Sequence, residues 1–274
     1  MTVLADMSFA ARVERSVVRD LECYAEACRR LDPALAVACG RFAGGLALYV
    51  APGSPVNMIF GAGFDGPVSG ADVDAVERFY AERGTQAAIS LSPLADPTLA
   101  ATLSLLGWVL TDFENVLVRE LGLAQPPLPA LPPGITIATA RTAEQRHAWG
   151  HLSSGAFDGP EAPSAEVVRL GDAMAARDDS VLLTGLVDGE AAGTGALWID
   201  DAMGWLLGDA TLPGLRRRGV QSALLAERTR RAQEAGCELA VSEARPGGTS
   251  QRNMERLGFH VVYTRVEMIA PTRR

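Results

Sequence analysis

Two rhythms of apolar and polar positions divide the latter part of this chain. Residues 181–187 and 192–199 are short, almost unbroken apolar runs, which predicts strands, and Asp188-Gly189 between them is a two-residue hairpin signal. Asp200-Asp201 turns the chain into a third expected strand at 203–209. From 219 to 235 the spacing becomes helical, with Val220, Ala223 and Leu224 on one face, and Gly236 is placed to end the helix. Strands are expected again at 239–242 and 261–269. Upstream, 134–138 reads as a β-branched strand, and 142–154 and 164–176 read as helices separated by the turn-rich 155–160.

Residues 124–134 hold five prolines. Proline removes backbone donors and forbids helix interiors, so this stretch predicts a stiff linker. It splits the chain into a first domain, 1–123, and a second, 135–274. The first reads as a degraded copy of the second. Phe79-Tyr80-Ala81-Glu82-Arg83-Gly84 corresponds to the helix end at Gly236, and Leu106-Gly107-Trp108 to Leu257-Gly258-Phe259. Residues 116–118 fall where 266–268 fall in the second copy. Self-similarity at this period predicts two tandem domains of mixed α/β (α+β) class.

Composition narrows the functional classes. At 274 residues and 48% hydrophobic, the chain can bury a sizeable core. A net charge of −8 argues against general nucleic-acid binding. No run approaches the roughly 20 apolar residues of a membrane span, and Arg12, Glu14, Arg15 and Arg19 interrupt any leader-like segment. Cys23, Cys28, Cys39 and Cys237 form no Cys-x-x-Cys pair, which predicts free buried thiols and a cytoplasmic location.

The most specific chemistry lies at 208–225. An apolar strand leads through Pro213-Gly214 and Arg216-Arg217-Arg218-Gly219 into the helix. Such a turn aims several backbone N–H groups at one spot, at the positive end of a helix dipole, and so forms an anion site suited to phosphate. Arg216-Arg217-Arg218-Gly219-Val220-Gln221 resembles the pyrophosphate loop of the GNAT acyltransferases, with Gln221 where that family has a small residue. The resemblance covers the last 140 or so residues well and the first 125 weakly. It implies two tandem GNAT-like domains, with acetyl-CoA as co-substrate. The backbone of Thr211 and Leu212, with Arg216, Arg217, Arg218, Gly219, Val220, Gln221 and Ser222, would hold the pyrophosphate and the start of pantetheine. A strand N–H near Ala210 or Thr211 would polarise the thioester. In the first domain residues 65–70 replace the arginine loop, so no CoA pyrophosphate is expected there.

The same resemblance sets Ser250 as an N-cap beside CoA and Asn253 as a partner of the pantetheine or phosphate arm. Where the family often has a tyrosine acid, this chain has Met254, which cannot donate a proton; thiolate departure is then expected to rely on water, on another donor such as Tyr263, or on the thiol's own acidity. Acetyl transfer to an amine needs a base. Asp209 and Glu243, at the ends of the two strands expected to splay around pantetheine, are the candidates, with Asp209, close to the loop, alternatively pinning an arginine. Asp158 is expected to shape the acceptor pocket. His147 and His151 have metal-ligand spacing on a helix but no third ligand, so no metal is expected. Gly61-Ala62-Gly63-Phe64-Asp65-Gly66 spells a dinucleotide fingerprint, but Pro67 and Gly70 delay the next helix. The expected function is acetyl transfer from acetyl-CoA to a primary amine of a small molecule, by a monomer or homodimer. A non-catalytic acyl-CoA sensor and a dinucleotide enzyme are the alternatives.

Overall fold

The structure, a computed structural model, describes residues 5–122, 127–157 and 163–272. Two compact units emerge. A second unit is built on Val116–Val261, and a first unit on residues through Asn115 together with Val262 onward.

The first unit opens with α1 (Met7–Leu31), capped by Asp6, whose side chain accepts from the Phe9 N–H at 2.8 Å. Its buried residues, among them Ala10, Val13, Val17, Leu21 and Cys28, recur at helical spacing, which is why this stretch folds as one amphipathic helix. There follow β1 (Ala38–Phe42), β2 (Gly45–Tyr49), β3 (Ile59–Phe60), α2 (Gly70–Ala81), β4 (Ala88–Leu91), α3 (Pro97–Leu105) and β5 (Val109–Glu120). β3 and β4 run parallel around α2, a crossover that the sequence pattern did not disclose. Tyr80, Ile89, Leu99, Leu103 and Trp108 form the core.

The second unit contains β6 (Ile135–Thr139), α4 (Ala143–Phe157), α5 (Ala165–Ala175), β7 (Ser180–Val187), β8 (Glu190–Asp200), β9 (Met203–Thr211), α6 (Val220–Glu234), β10 (Leu239–Ala244) and α7 (Thr249–Arg256). Asp188 and Gly189 both take positive φ, 52° and 88°, the backbone of a tight two-residue hairpin. Gly236 ends α6 at φ 81°. The strand order is β6-β7-β8-β9-β10-β5; β6 to β9 pair antiparallel, and β10 joins β9 in parallel.

β11 (His260–Ile269) pairs antiparallel with β4, from Val266 opposite Leu91 to Ile269 opposite Ala88, and Met268 enters the first core. The unit boundaries therefore fall at 115/116 in β5 and 261/262 in β11, rather than in the 124–134 stretch. A strand belongs to the edge it pairs with, whatever its place in the sequence. The repeat between halves is visible in the turns. Gly107 and Gly258 take φ 82° and 84°, and the N–H groups of Trp108 and Phe259 each reach back five residues, to Leu103 and Met254.

None of the four cysteines is in a disulfide. Cys28 and Cys237 are buried, whereas Cys23 and Cys39 are exposed, contrary to the expectation of four buried thiols. Among the described residues no helix is long and apolar enough to cross a membrane.

Candidate functional site

The parallel ladder of β9 and β10 is short. It pairs Met203–Trp205 with residues 239–241 and stops, while β9 continues to Thr211 and β10 to Ala244. Beyond the last pair lies a cleft of about 770 Å³ in the second unit. Asp209, Ala210 and Thr211 line it from β9, the Arg216–Ser222 turn closes one end, and α7 supplies a wall.

On the other side of β9 the ladder with β8 is irregular. Thr194 faces Ala210 and Ala196 faces Leu207, so Gly208 and Asp209 together oppose Gly195. This is a β-bulge, and it re-aims the bulged residues. Gly208 sits at φ 63°, and a Cβ there would lie 3.0 Å from Met174 Cε.

Arg228 of α6 holds the bulge from beneath. Its side chain is 0% exposed. Nε donates to the Leu224 carbonyl at 3.1 Å, Nη1 to the Ala196 and Leu207 carbonyls at 3.2 and 2.9 Å, and Nη2 to Asp209 Oδ1. Gly195 leaves room for this: a Cβ there would be 2.7 Å from Arg228 Cζ. Asp209 thus pins an arginine, Arg228 of α6. Burial pushes its carboxyl above the usual carboxylate range, against the pull of Arg228.

The turn after β9 has a distinctive backbone. Residues 213–215 form one 3₁₀ turn, Arg217 takes φ 64° and Gly219 φ 88°. Gly219 starts α6 with no side-chain cap, so the first-turn N–H groups of α6 keep no protein partner from that source. A Cβ on Gly219 would meet only ordinary contacts, so its φ is what calls for glycine. Arg216 Nε donates to the Thr211 carbonyl at 3.2 Å and Nη2 to Ala156 O at 3.2 Å, which fixes the turn to β9 and α4. Arg218 instead pairs with Asp188 at 3.1 Å. Arg217 is exposed and lines the cleft.

The departure at Gln221 has a structural partner. Its Nε2 donates to Ser250 Oγ at 2.8 Å and its Oε1 accepts from Asn253 Nδ2 at 2.7 Å, while Asn253 Oδ1 accepts from Arg256 Nη1 at 2.9 Å. α6 and α7 are joined across the cleft wall by this chain. Gly248 precedes α7 with no side-chain cap, so Ser250 is inside the helix rather than its N-cap.

Of the expected site residues, Asp209, Ala210, Thr211, Arg216, Arg217, Gly219, Val220, Gln221, Ser222, Ser250 and Asn253 come together on the cleft. Leu212, Arg218, Glu243 and Tyr263 are not among its lining residues. Glu243 is half-buried on β10. Tyr263 belongs to the first unit, where its buried hydroxyl donates to Glu14 Oε1 at 2.8 Å, beside Arg265. The sequence reading missed Ala156, Leu215, Thr249 and Arg256. The helical spacing of Thr249, Asn253 and Arg256 could have found the α7 face.

Met254 is 1% exposed, packed in the core with Leu225, Leu257 and Phe259. His147 and His151 stack edge to face at 4.6 Å on the exposed side of α4. Among the described residues no group of three or more His, Cys, Asp or Glu could hold a metal ion. Asp158 lies outside the described residues. Gly61 and Gly63 serve packing, whereas Gly66 faces open space at φ 115°. A Cβ on Gly61 would lie 2.7 Å from Val18 Cγ2, and one on Gly63 2.8 Å from Leu99 Cδ2. The helix after them begins only at Gly70, where Ser69 and Asp72 form a capping box that already occupies its amino end.

Residues 146–259 match the family model described as Acetyltransferase (GNAT) family. Three solved structures share the fold over nearly the whole chain. A GCN5-related N-acetyltransferase from Kribbella flavida is 21% identical with a TM-score of 0.65, covering 93% of this chain and 96% of its own. One from Sphaerobacter thermophilus is 17% identical with a TM-score of 0.62, covering 98% and 95%. A tandem GNAT protein from the clavulanic acid biosynthesis pathway is 17% identical with a TM-score of 0.61, covering 91% and 89%. No curated protein matches the chain in sequence.

Proposed function

From a chain that carries a GNAT acetyltransferase domain in a tandem GNAT-like fold, we propose that the second unit transfers an acetyl group from acetyl-CoA to a primary amine of a small molecule. The observation that carries this reading is the uncapped start of α6 behind Arg217 and Gly219, both at positive φ, on the wall of the β9–β10 cleft. Backbone N–H groups of residues 217–222 suit a diphosphate, because they present donors that need no reorganisation. Residues 211 and 212 and Arg216 brace that turn, and Arg218 steadies it from the hairpin.

In this reading Asp209 is the base. Its carboxylate lines the cleft, and a carboxyl raised by burial is better matched to accepting an amine proton near neutral pH. The amine nitrogen attacks the thioester carbonyl, its proton passes to Asp209 directly or through one water, and the thiolate departs. The N–H of Ala210 or Thr211, beside the bulge, stabilises the negative charge on the carbonyl oxygen. No proton donor stands at residue 254, so departure relies on the leaving thiol's own acidity. Glu243 is the alternative base. The first unit, with residues 65–70 in place of an arginine turn, is assigned no CoA site, and the protein is assigned to the cytoplasm.

A second reading, an acyl-CoA sensor without turnover, is favoured by one observation: Met254 is buried in the core and supplies no acid. Calorimetric titration with acetyl-CoA, with NAD as control, tests the common premise. Micromolar binding of acetyl-CoA and none of NAD is expected; no acetyl-CoA binding overturns both readings. Turnover with a panel of small amines then separates enzyme from sensor.

A further inference from the structure

The hydrogen-bond chain between α6 and α7 has a direction, and its chemistry forces that direction. A guanidinium only donates, so the atom of Asn253 that faces Arg256 Nη1 at 2.9 Å has to be the carbonyl oxygen. The Asn253 amide nitrogen then faces Gln221 at 2.7 Å as donor, so the Gln221 atom there is its oxygen. The Gln221 nitrogen in turn faces Ser250 Oγ at 2.8 Å, which must accept. The chain ends on a hydroxyl that has received a hydrogen bond and still holds its own proton. Among the described residues that proton has no protein acceptor. All four residues line the cleft.

We propose that Ser250 is a ligand-positioning donor that gives its hydroxyl proton to a diphosphate oxygen of the bound acyl-CoA, held in that role by the one-way chain from Arg256 through Asn253 and Gln221. The inference rests on the acyl-CoA reading of the cleft. Its chemistry favours an anionic acceptor. The chain starts at a permanent cation, each link polarises the next, and a hydroxyl at the end of such a chain donates more strongly than an isolated one. Gln221 is the indispensable link. An alanine or glycine there would leave Ser250 Oγ free to turn and would leave Asn253 Nδ2 without this partner. The residue that departs from the usual small side chain therefore sets which atoms of α7 meet the ligand. Asn253 spends both ends of its amide on the chain and acts through Ser250.

The test is calorimetric titration of acetyl-CoA into the full chain and into Ser250→Ala, Ser250→Thr and Gln221→Met, with melting temperatures measured alongside. Gln221→Met keeps the length and removes both hydrogen bonds. A lost hydrogen bond to a charged group predicts about tenfold or more weaker binding for Ser250→Ala and for Gln221→Met. Ser250→Thr keeps the hydroxyl and is expected to bind like the wild type. The double variant is expected to be no weaker than the weaker single, since both changes remove one donor. The phosphorus resonances of the diphosphate in bound acetyl-CoA are expected to move between wild type and Ser250→Ala and to return with Ser250→Thr. Unchanged affinity in Ser250→Ala, additive losses in the double variant, or unmoved phosphorus resonances would each overturn the inference. Failure of the wild-type chain to bind acetyl-CoA would overturn the acyl-CoA reading itself, and is told apart because it needs no variant.

Discussion

Arg228→Met puts the architecture under the bulge to a quantitative test. The wild-type guanidinium is 0% exposed and donates to three carbonyls and to Asp209, whose own side chain is 14% exposed. Methionine fills most of the volume but supplies no charge and no donor. The Asp209 carboxylate is then left in a mostly buried position without its counter-charge. Breaking a buried pair from one side costs about 3–5 kcal/mol. For a chain of this size each kcal/mol lowers the melting temperature by roughly 2–4 °C, so the variant is expected to melt about 10 °C lower at pH 7.

The pH dependence has a definite sign. Burial raises the folded-state Asp209 carboxyl above its unfolded value, so its contribution is full below the ordinary aspartate value of about 3.9 and is lost as pH rises through the raised one. Removing Arg228 takes away the one influence that pulls it down, and the loss extends to higher pH. Arg228→Met is therefore expected to regain stability relative to wild type as the solution is acidified from pH 7 toward 5. Adding Asp209→Asn, which removes the stranded charge, should recover most of the loss. Thermal melts of the four proteins of this cycle at both pH values are the assay. A loss below about 1 kcal/mol, or a difference flat with pH, would refute the argument that this pair is buried and coupled.

Two further outcomes follow from residues outside the cleft floor. Met254→Tyr, the change toward the family's usual residue, is expected to destabilise by about 1–3 kcal/mol through overpacking of the core and to leave transfer rates no faster; a faster enzyme of unchanged melting temperature would sink this. In the first unit, the Ser69 hydroxyl and N–H hold the Asp72 carboxyl below the usual range. Its contribution is thus full above the ordinary aspartate value and lost as pH falls through the depressed one. Amide protection across the first turn of α2 should drop in strong acid for wild type and show a smaller step in Ser69→Ala, which keeps the backbone donor to Asp72 but loses the hydroxyl; equal steps in the two proteins would contradict the capping account.

The elements of the second unit were legible because each carries its own local cause. Asp188-Gly189 can make only a few turns, Gly236 accepts the positive φ at a helix end, and Val220, Ala223 and Leu224 mark a buried face. The turn over residues 213–219 was legible as a turn for the same reason. What escaped was set by tertiary partners. Arg228 reads as one more exposed arginine in a helix that also carries Arg230 and Arg231, and only the Gly195 gap shows where it goes. The bulge left a trace in Gly208, a glycine inside a strand, but its depth depends on Trp149 and Met174 from other elements. Tyr263 sat in a well-predicted strand whose alternation says nothing about which edge it joins, so its hydroxyl was expected at one site and is hydrogen-bonded at another. Gln221 stood out as a departure, but its partners lie some thirty residues on, at Ser250 and Asn253.

The pairing of β11 with β4 has a consequence for synthesis. A nascent chain ordinarily folds its leading domain while the trailing one is still being made. Here the leading unit lacks a sheet strand until residues 260–269 have emerged, long after β5 has been completed. At about 5–20 residues per second the ribosome takes on the order of ten seconds or more to supply it. Throughout that interval β4 presents an open edge to whatever strand arrives first. Until then the leading unit has an edge to shield, and the arrival of β11 covers it.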